Sequence, residues 1–186
     1  MAEAIAAGVR ATAPIEIKLG TPDEISTRDV ADCDALVLGS PVRHGSVDSR
    51  LRHFIEMDCE SLARSGRLAS KLGAVFSVGG HFNHHGDGGE VAQIVLLRAL
   101  ASAGMTLITA ICADDPQGPY WGPHARLRVL DSGREELQPD ALDIAYAHGQ
   151  RIAQTVCTLG RMPVDASSKR WLRWPRRLNF FFAALR

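Results

Sequence analysis

With 186 residues, 46% of them apolar, the chain can bury a full hydrophobic core, and its length favours one domain with some residues left over. The formal charge is zero but unevenly divided: residues 161–186 hold seven Lys or Arg against one acid, Asp165, which leaves 14 basic and 20 acidic residues in 1–160. That asymmetry suggests a body spanning 1–160 and a separately behaving basic and aromatic tail over 161–186. Cys33, Cys59, Cys112 and Cys157 form no C-x-x-C pair, so neither a zinc knuckle nor a redox dithiol is signalled, and reduced cysteines in a cytoplasmic protein are expected. No stretch reaches the roughly 18 apolar residues of a membrane span, and MAEAIAAGVR is not a signal peptide.

From Met1 to Thr12, Ala4, Ile5, Gly8 and Val9 fall at helical spacing, and Pro14 ends the run. Ile15 to Leu19 alternates as a half-buried strand closed by Gly20-Thr21-Pro22, and a short helical turn is expected near 27–32. Ala35 to Gly39 is apolar on both faces, as in an inner parallel strand. A loop over 40–47 follows, then a helix whose inward face carries Val47, Leu51, Phe54 and Ile55. Leu72 to Val78 repeats the buried-strand pattern, followed by the loop GGHFNHHGDGG and a helix from about Glu90 to Ala103 that bears Val91, Ile94, Val95 and Leu97. Met105 to Ile111 reads as another strand, and a long loop with PQGPYWGPH leads to a last helix, about Pro139 to Leu159, with Leu142, Ala145, Tyr146, Gly149, Ile152 and Ala153 along one side. The alternation predicts an α/β fold with a parallel sheet and right-handed crossovers. Ligands of such sheets lie beyond the carboxyl ends of the strands, so the loops 40–47 and 79–89 belong to one rim and are expected to line one pocket.

These loops have the composition that a flat heteroaromatic ligand requires. Gly39-Ser40-Pro41 and Ser77-Val78-Gly79-Gly80 let the backbone approach closely, Ser40 and Ser77 add hydroxyls, and Arg43 adds a fixed cation. Turning the chain is the plainer use of such residues. The segment LVLGSPVRHGSVDSRLRHFIE resembles the G-[ST]-P-T-R-[FY]-G segment and following helix of the flavodoxin-like NAD(P)H:quinone oxidoreductases, the tryptophan-repressor-binding-protein family. KLGAVFSVGG, LASAGMTLI, GPYWGPHA and ALDIAYAHGQRIAQ continue the likeness over about residues 1–158.

The resemblance implies a five-stranded flavodoxin-like three-layer sandwich, FMN as cofactor, and reduction of quinones by NAD(P)H. It places Ser40, Pro41, Val42, Arg43, His44 and Gly45 around one side of the flavin ring and Ser77, Val78, Gly79, Gly80 and His81 around the other. No residue is assigned as general acid or base, because hydride enters and leaves at the flavin itself.

The chain departs from the family pattern at its start, where it opens inside the first helix. The strand and phosphate loop that would precede this helix are missing, so the fold is expected to be N-terminally truncated. The missing strand would lie between 15–19 and 35–39, which must then pair directly or leave backbone groups unpaired. Two accounts fit: a natural start upstream of Met1, favoured by the sheet's need for its middle strand, or a chain that begins at Met1 and binds FMN weakly or not at all. Ala63 and Ser102 stand where relatives carry a Trp and a His that sandwich the quinone, and His44 replaces an aromatic residue; Tyr120 and Trp121 are candidates for stacking instead.

His81, His84, His85, Asp87 and Glu90 could supply metal donors, but adjacent histidines in a Gly-rich loop lack a rigid frame, and no metal is expected. In the tail, Lys169, Arg170, Arg173, Arg176 and Arg177 beside Trp171, Trp174 and Phe180 to Phe182 suit an anionic membrane surface. Docking on another subunit or disorder fits these residues as well, and no groove-reading motif points to nucleic acid. The leading expectation is an FMN-dependent reductase that self-associates, as its relatives do. The rival is a non-catalytic flavodoxin-like protein with a decayed flavin site, acting through its tail or its oligomer surface.

Overall fold

The computed structural model describes residues 1–80, 88–109, 121–129, 132, 135–159 and 177–178. Helix α1, Ala2–Thr12, follows Met1 without a side-chain cap and ends where Ala13 turns extended ahead of Pro14. Strand β1 is only Glu16–Ile17, shorter than the alternation over 15–19 predicts. Helix α2, Thr27–Asp32, begins with a reciprocal cap in which Ser26 and Asp29 exchange side-chain and backbone hydrogen bonds. The Lys18 ammonium, 2.6 Å from Asp29, and the Ser26 hydroxyl hold that carboxyl down at about 2. At the other end of α2, the buried Lys71 ammonium donates to the carbonyls of Ala31, at 2.8 Å, and Cys33.

Strand β2, Ala35–Arg43, runs four residues beyond the expected end at Gly39. It turns through His44-Gly45 into β3, Ser46–Val47, an antiparallel hairpin where a loop was expected. Next, α3 (Ser49–Phe54), a π-helical turn at Ile55–Cys59 and α4 (Glu60–Arg64) succeed one another, and Leu51, Phe54 and Leu62 are buried. Strand β4, Leu72–Gly79, pairs parallel with β2, from Ala35 opposite Leu72 to Pro41 opposite Val78. Helix α5, Gly89–Ser102, buries Ala92, Gln93, Leu96, Leu97 and Leu100, and leaves Val91, Ile94 and Val95 exposed.

Beyond β4 the sheet is built in two pieces. Strand β5, Thr106–Leu107, pairs with the amino end of β4, and β6, His124–Val129, with its carboxyl end, both parallel. Strand β7, Glu135–Leu137, folds back antiparallel on β6. The sheet is therefore mixed, with parallel inner strands and two antiparallel additions, and β6 and β7 occupy residues that sequence patterning assigned to a loop. Helix α6, Pro139–Leu159, has the expected bounds. Tail residues Arg177–Leu178 form β8, which pairs parallel with β1, Glu16 opposite Arg177 and Ile17 opposite Leu178. Of the two arrangements expected without the missing strand, direct pairing of β1 with β2 is not found among the described residues.

One core, with Leu36, Leu38, Leu51, Phe54, Leu96 and Leu100, lies between the sheet and α3 and α5. The other, with Ile5, Val9, Val37, Phe76, Ala145 and Ile152, lies beneath α1 and α6. A Cβ added to Gly8 would fall 2.0 Å from the Tyr146 carbonyl oxygen, and one on Gly149 would fall 2.0 Å from that of Ile5, so these helices touch backbone to backbone. Helices on both faces of a largely parallel sheet give the flavodoxin-like sandwich that the sequence predicts.

Candidate functional site at the carboxyl rim

Strands β2 and β4 end side by side, with Ser40 opposite Ser77 and Pro41 opposite Val78, so both following segments leave from one rim. The β2 hairpin closes through His44 at φ 48° and Gly45 at φ 74°. Two successive positive values are what a two-residue hairpin turn needs, and histidine tolerates that region better than branched residues do. Gly88, at φ 76°, begins the return from β4, and a Cβ there would lie 2.6 Å from the Gly45 Cα. The two segments therefore converge, as the position of both loops at strand ends predicts.

Arg43, His44 and Gly45 are exposed on the hairpin, and Pro41 and Val42 are half-buried. The Arg43 Nε lies 4.0 Å from Asp48 Oδ2, and Asp48 in turn caps α3 by accepting from the Arg50 N–H at 3.0 Å. Added Cβ atoms at Gly45 or Gly80 would meet no described atom within 4 Å. Val78 is half-buried, Gly79 buried and Gly80 exposed. His81 lies outside the described residues, as do His84, His85, Asp87 and Tyr120; among the described residues no cluster could hold a metal.

The two serines have structural partners. The Ser40 hydroxyl donates to the Pro41 carbonyl at 2.8 Å and accepts from the Asp48 N–H at 2.9 Å, which ties the hairpin to the start of α3. Ser77 is fully buried and its hydroxyl lies 2.8 Å from His124 Nδ1, while Gln93 Nε2 donates to it at 2.9 Å. Gln93 also donates to the Gly122 carbonyl at 3.0 Å and accepts from the Gly122 N–H at 2.8 Å. This clamp fixes Gly122-Pro123-His124 under the rim.

His124 and Gln93 were missed by sequence reasoning. The available signals were the alternation of Ala125, Leu127 and Val129 and a polar residue at an inward helical position. Ala63 is half-buried against the α3 and α5 core, and Ser102 is exposed at the end of α5. Trp121 is exposed. Cys33 and Cys59 are buried, and desolvation pushes both thiols up to about 12, so neither is a nucleophile at neutral pH.

In chemical terms the rim offers an exposed guanidinium and glycine backbone on two segments, which suits the edge of a flat anionic or electron-rich ring. The described residues thus fit the ring side of a flavin. A phosphate-holding loop ahead of α1 is not among them. No described helix is long and apolar enough to cross a membrane.

Known proteins resemble this chain in sequence and in fold. A family model described as NADPH-dependent FMN reductase matches residues 16–116. A flavodoxin of Aquifex aeolicus is 33% identical over 156 residues, covering 84% of this chain and 78% of its own. An NAD(P)H dehydrogenase (quinone) of Sinorhizobium fredii is 32% identical over 148 residues, covering 73% and 71%. Among solved structures, a flavodoxin, WrbA-like protein from Agrobacterium tumefaciens superposes with a TM-score of 0.59 at 17% identity, over 84% of this chain and 87% of that one. A flavodoxin from the domain Archaea gives 0.59 at 19%, over 83% and 87%. At such identities the structures speak for the fold alone.

Proposed function

The chain belongs to the NADPH-dependent FMN reductase family, and on that premise we propose that it is an FMN-dependent oxidoreductase that passes electrons from NAD(P)H to quinones or similar acceptors. The observation that carries this reading is the approach of the β2 hairpin at Gly45 to the β4 return at Gly88, with no described atom within 4 Å of a Cβ built on Gly45 or Gly80. The relatives named NAD(P)H dehydrogenase (quinone) support the choice of donor and acceptor.

Ser40, Pro41, Val42, Arg43, His44 and Gly45 would hold one side of the ring, and Ser77, Val78, Gly79, Gly80 and His81 the other. Bound FMN would supply the two-electron carrier between donor and acceptor. The chain's own part is to bind and orient. Arg43 sets a positive charge at the ring edge, and the hairpin presents backbone N–H and C=O groups. The Ser77–His124–Gln93 network keeps the floor rigid.

The test is turnover. Protein loaded with FMN should oxidise NADH or NADPH in the presence of a soluble benzoquinone, and the Gly88→Val variant, which drives a side chain into Gly45, should lose most of that rate. Flavin-loaded protein with no rate above free FMN would overturn the enzymatic reading.

A further inference from the structure

Helix α5 turns its more apolar side to solvent. Its inward row, Ala92, Gln93, Leu96, Leu97 and Leu100, is buried, and Gln93 holds its place there by clamping Gly122 and Ser77. Outward lie Val91, Ile94 and Val95, 51%, 44% and 40% exposed, which form a continuous stripe along one side of the helix. Branched side chains of this kind lose rotamer freedom in a helix, and in water no burial offsets that loss. Contiguous apolar patches bordered by polar residues mark surfaces that another molecule covers.

The charges bordering the stripe indicate what that molecule is. Glu90, Ile94 and Arg98 are all exposed and fall four residues apart, so they make one row with opposite charges about 6 Å to either side of Ile94. Neither Glu90 nor Arg98 has an ion pair among the described residues. Such a row is complementary to itself turned end for end. When two copies of α5 pack antiparallel about a two-fold axis through Ile94, each Glu90 faces the other copy's Arg98, and the two isoleucines meet at the centre. Val91 and Val95 fill the flanks of that contact. Helix axes about 8–10 Å apart leave glutamate and arginine well within reach of each other. Parallel packing in register would set Glu90 against Glu90 and Arg98 against Arg98, which like-charge repulsion disfavours.

We propose that the outward face of α5 is the contact surface of a two-fold dimer of this chain, centred on Ile94 and oriented by reciprocal Glu90–Arg98 pairs. The apolar stripe supplies the attraction and the charges supply the direction. Because α5 begins just after Gly88, the contact borders the carboxyl rim, with the Glu90 of each copy two residues from it. The inference does not rest on flavin binding.

Sedimentation equilibrium of the intact chain tests it. The chain should pass from monomer to dimer as its concentration rises. A dissociation constant on the order of 100 µM is expected, because one helix face buries less than the roughly 1,200 Å² of a specific, stable interface. Arg98→Glu and Glu90→Arg should each weaken the dimer about tenfold or more, since each sets like charges opposite one another at both ends. Mixed together, the two variants should recover the parental affinity, because each then meets the opposite charge at both ends. Ile94→Asp should leave only monomer, with its circular dichroism unchanged. A chain that stays monomeric up to about 1 mM would overturn the proposal. So would a dimer that neither charge reversal weakens, or one that mixing the two variants fails to restore. Binding of the monomer to phosphatidylglycerol vesicles, abolished by Ile94→Asp, would assign the stripe to a lipid surface and overturn it as well.

Discussion

Toward β4, strand β2 is zipped continuously from Ala35 to Pro41, and the segments that leave those paired ends meet at Gly45 and Gly88. Toward β1 the same strand has only the hairpin pairs at Val42 and Arg43 among the described residues, and β1 is joined instead to a fragment of the tail. The β4 side is local in sequence, a strand–helix–strand unit with its clamp in Gln93. The β1 side is assembled from distant pieces and depends on α1 and α6 to hold it. The ring-side half of the candidate site stands on the first kind of structure, which is why two loops 40 residues apart can be positioned together. The second kind should be the weaker half under stress.

The largest effect should come from loosening the β1 side at its helix pair. Gly149→Ala pushes a methyl into the Ile5 carbonyl, and neither backbone can yield without parting α1 from α6, so a loss of about 3 kcal/mol is expected in urea unfolding. Equal stability of Gly149→Ala and the parent would show that the contact is not tight in solution.

Acid should weaken the same helix by nearly as much. His148 of α6 is buried, neither ring nitrogen has a hydrogen-bond partner among the described residues, and desolvation, with help from Arg151, lowers it to about 4. The unfolded imidazole takes up its proton near 6.5 and the folded one only near 4. Between those values the unfolded state binds more protons. Stability contributed by the neutral ring is thus complete above about 6.5 and falls as pH drops to 4, by on the order of 3 kcal/mol. His148→Leu should flatten that slope in a pH series of unfolding midpoints.

On the β4 side a smaller loss is expected from Ser77→Ala. It leaves Gln93 and His124 without their shared hydroxyl, at about 1–2 kcal/mol, while the hairpin stays in place. The smallest effect on stability should be that of Arg43→Ala. Its guanidinium is exposed and its ion pair with Asp48 is loose, so Tm should not move, but FMN affinity should fall about tenfold if the cation meets the ring edge. A change in Tm without one in affinity would make Arg43 a structural residue.

Much of the β4 side was legible in sequence, because continuous apolar runs such as LVLG and LGAVFSV followed by helical periodicity leave few alternatives. The hairpin was not, since His-Gly lacks the asparagine or aspartate that marks such turns, and Pro41 hides a strand that continues past it. Helix α5 shows a second limit. Val91, Ile94 and Val95 form the more apolar stripe, but the inward place went to Gln93 because its amide satisfies Gly122 and Ser77, an arrangement that hydropathy cannot register. Strands β6 and β7 were lost behind Gly and Pro. For the tail, charge and tryptophans drew attention to a surface role, whereas the pairing of Arg177 and Leu178 with β1 depends on a contact between opposite ends of the chain. The family resemblance singled out Ser40 to Gly45 and Ser77 to His81 as ring-side candidates, but not the internal hydrogen bonds that occupy both serine hydroxyls.

The most direct measurement of the central claim is an FMN titration followed by backbone amide chemical shifts. The account predicts that the amides of Gly45 and Gly80 move together, in one saturable step at one flavin per chain, while those at the amino ends of β2 and β4 stay still. Shifts confined to one of the two segments, or no saturable change at either, would contradict it.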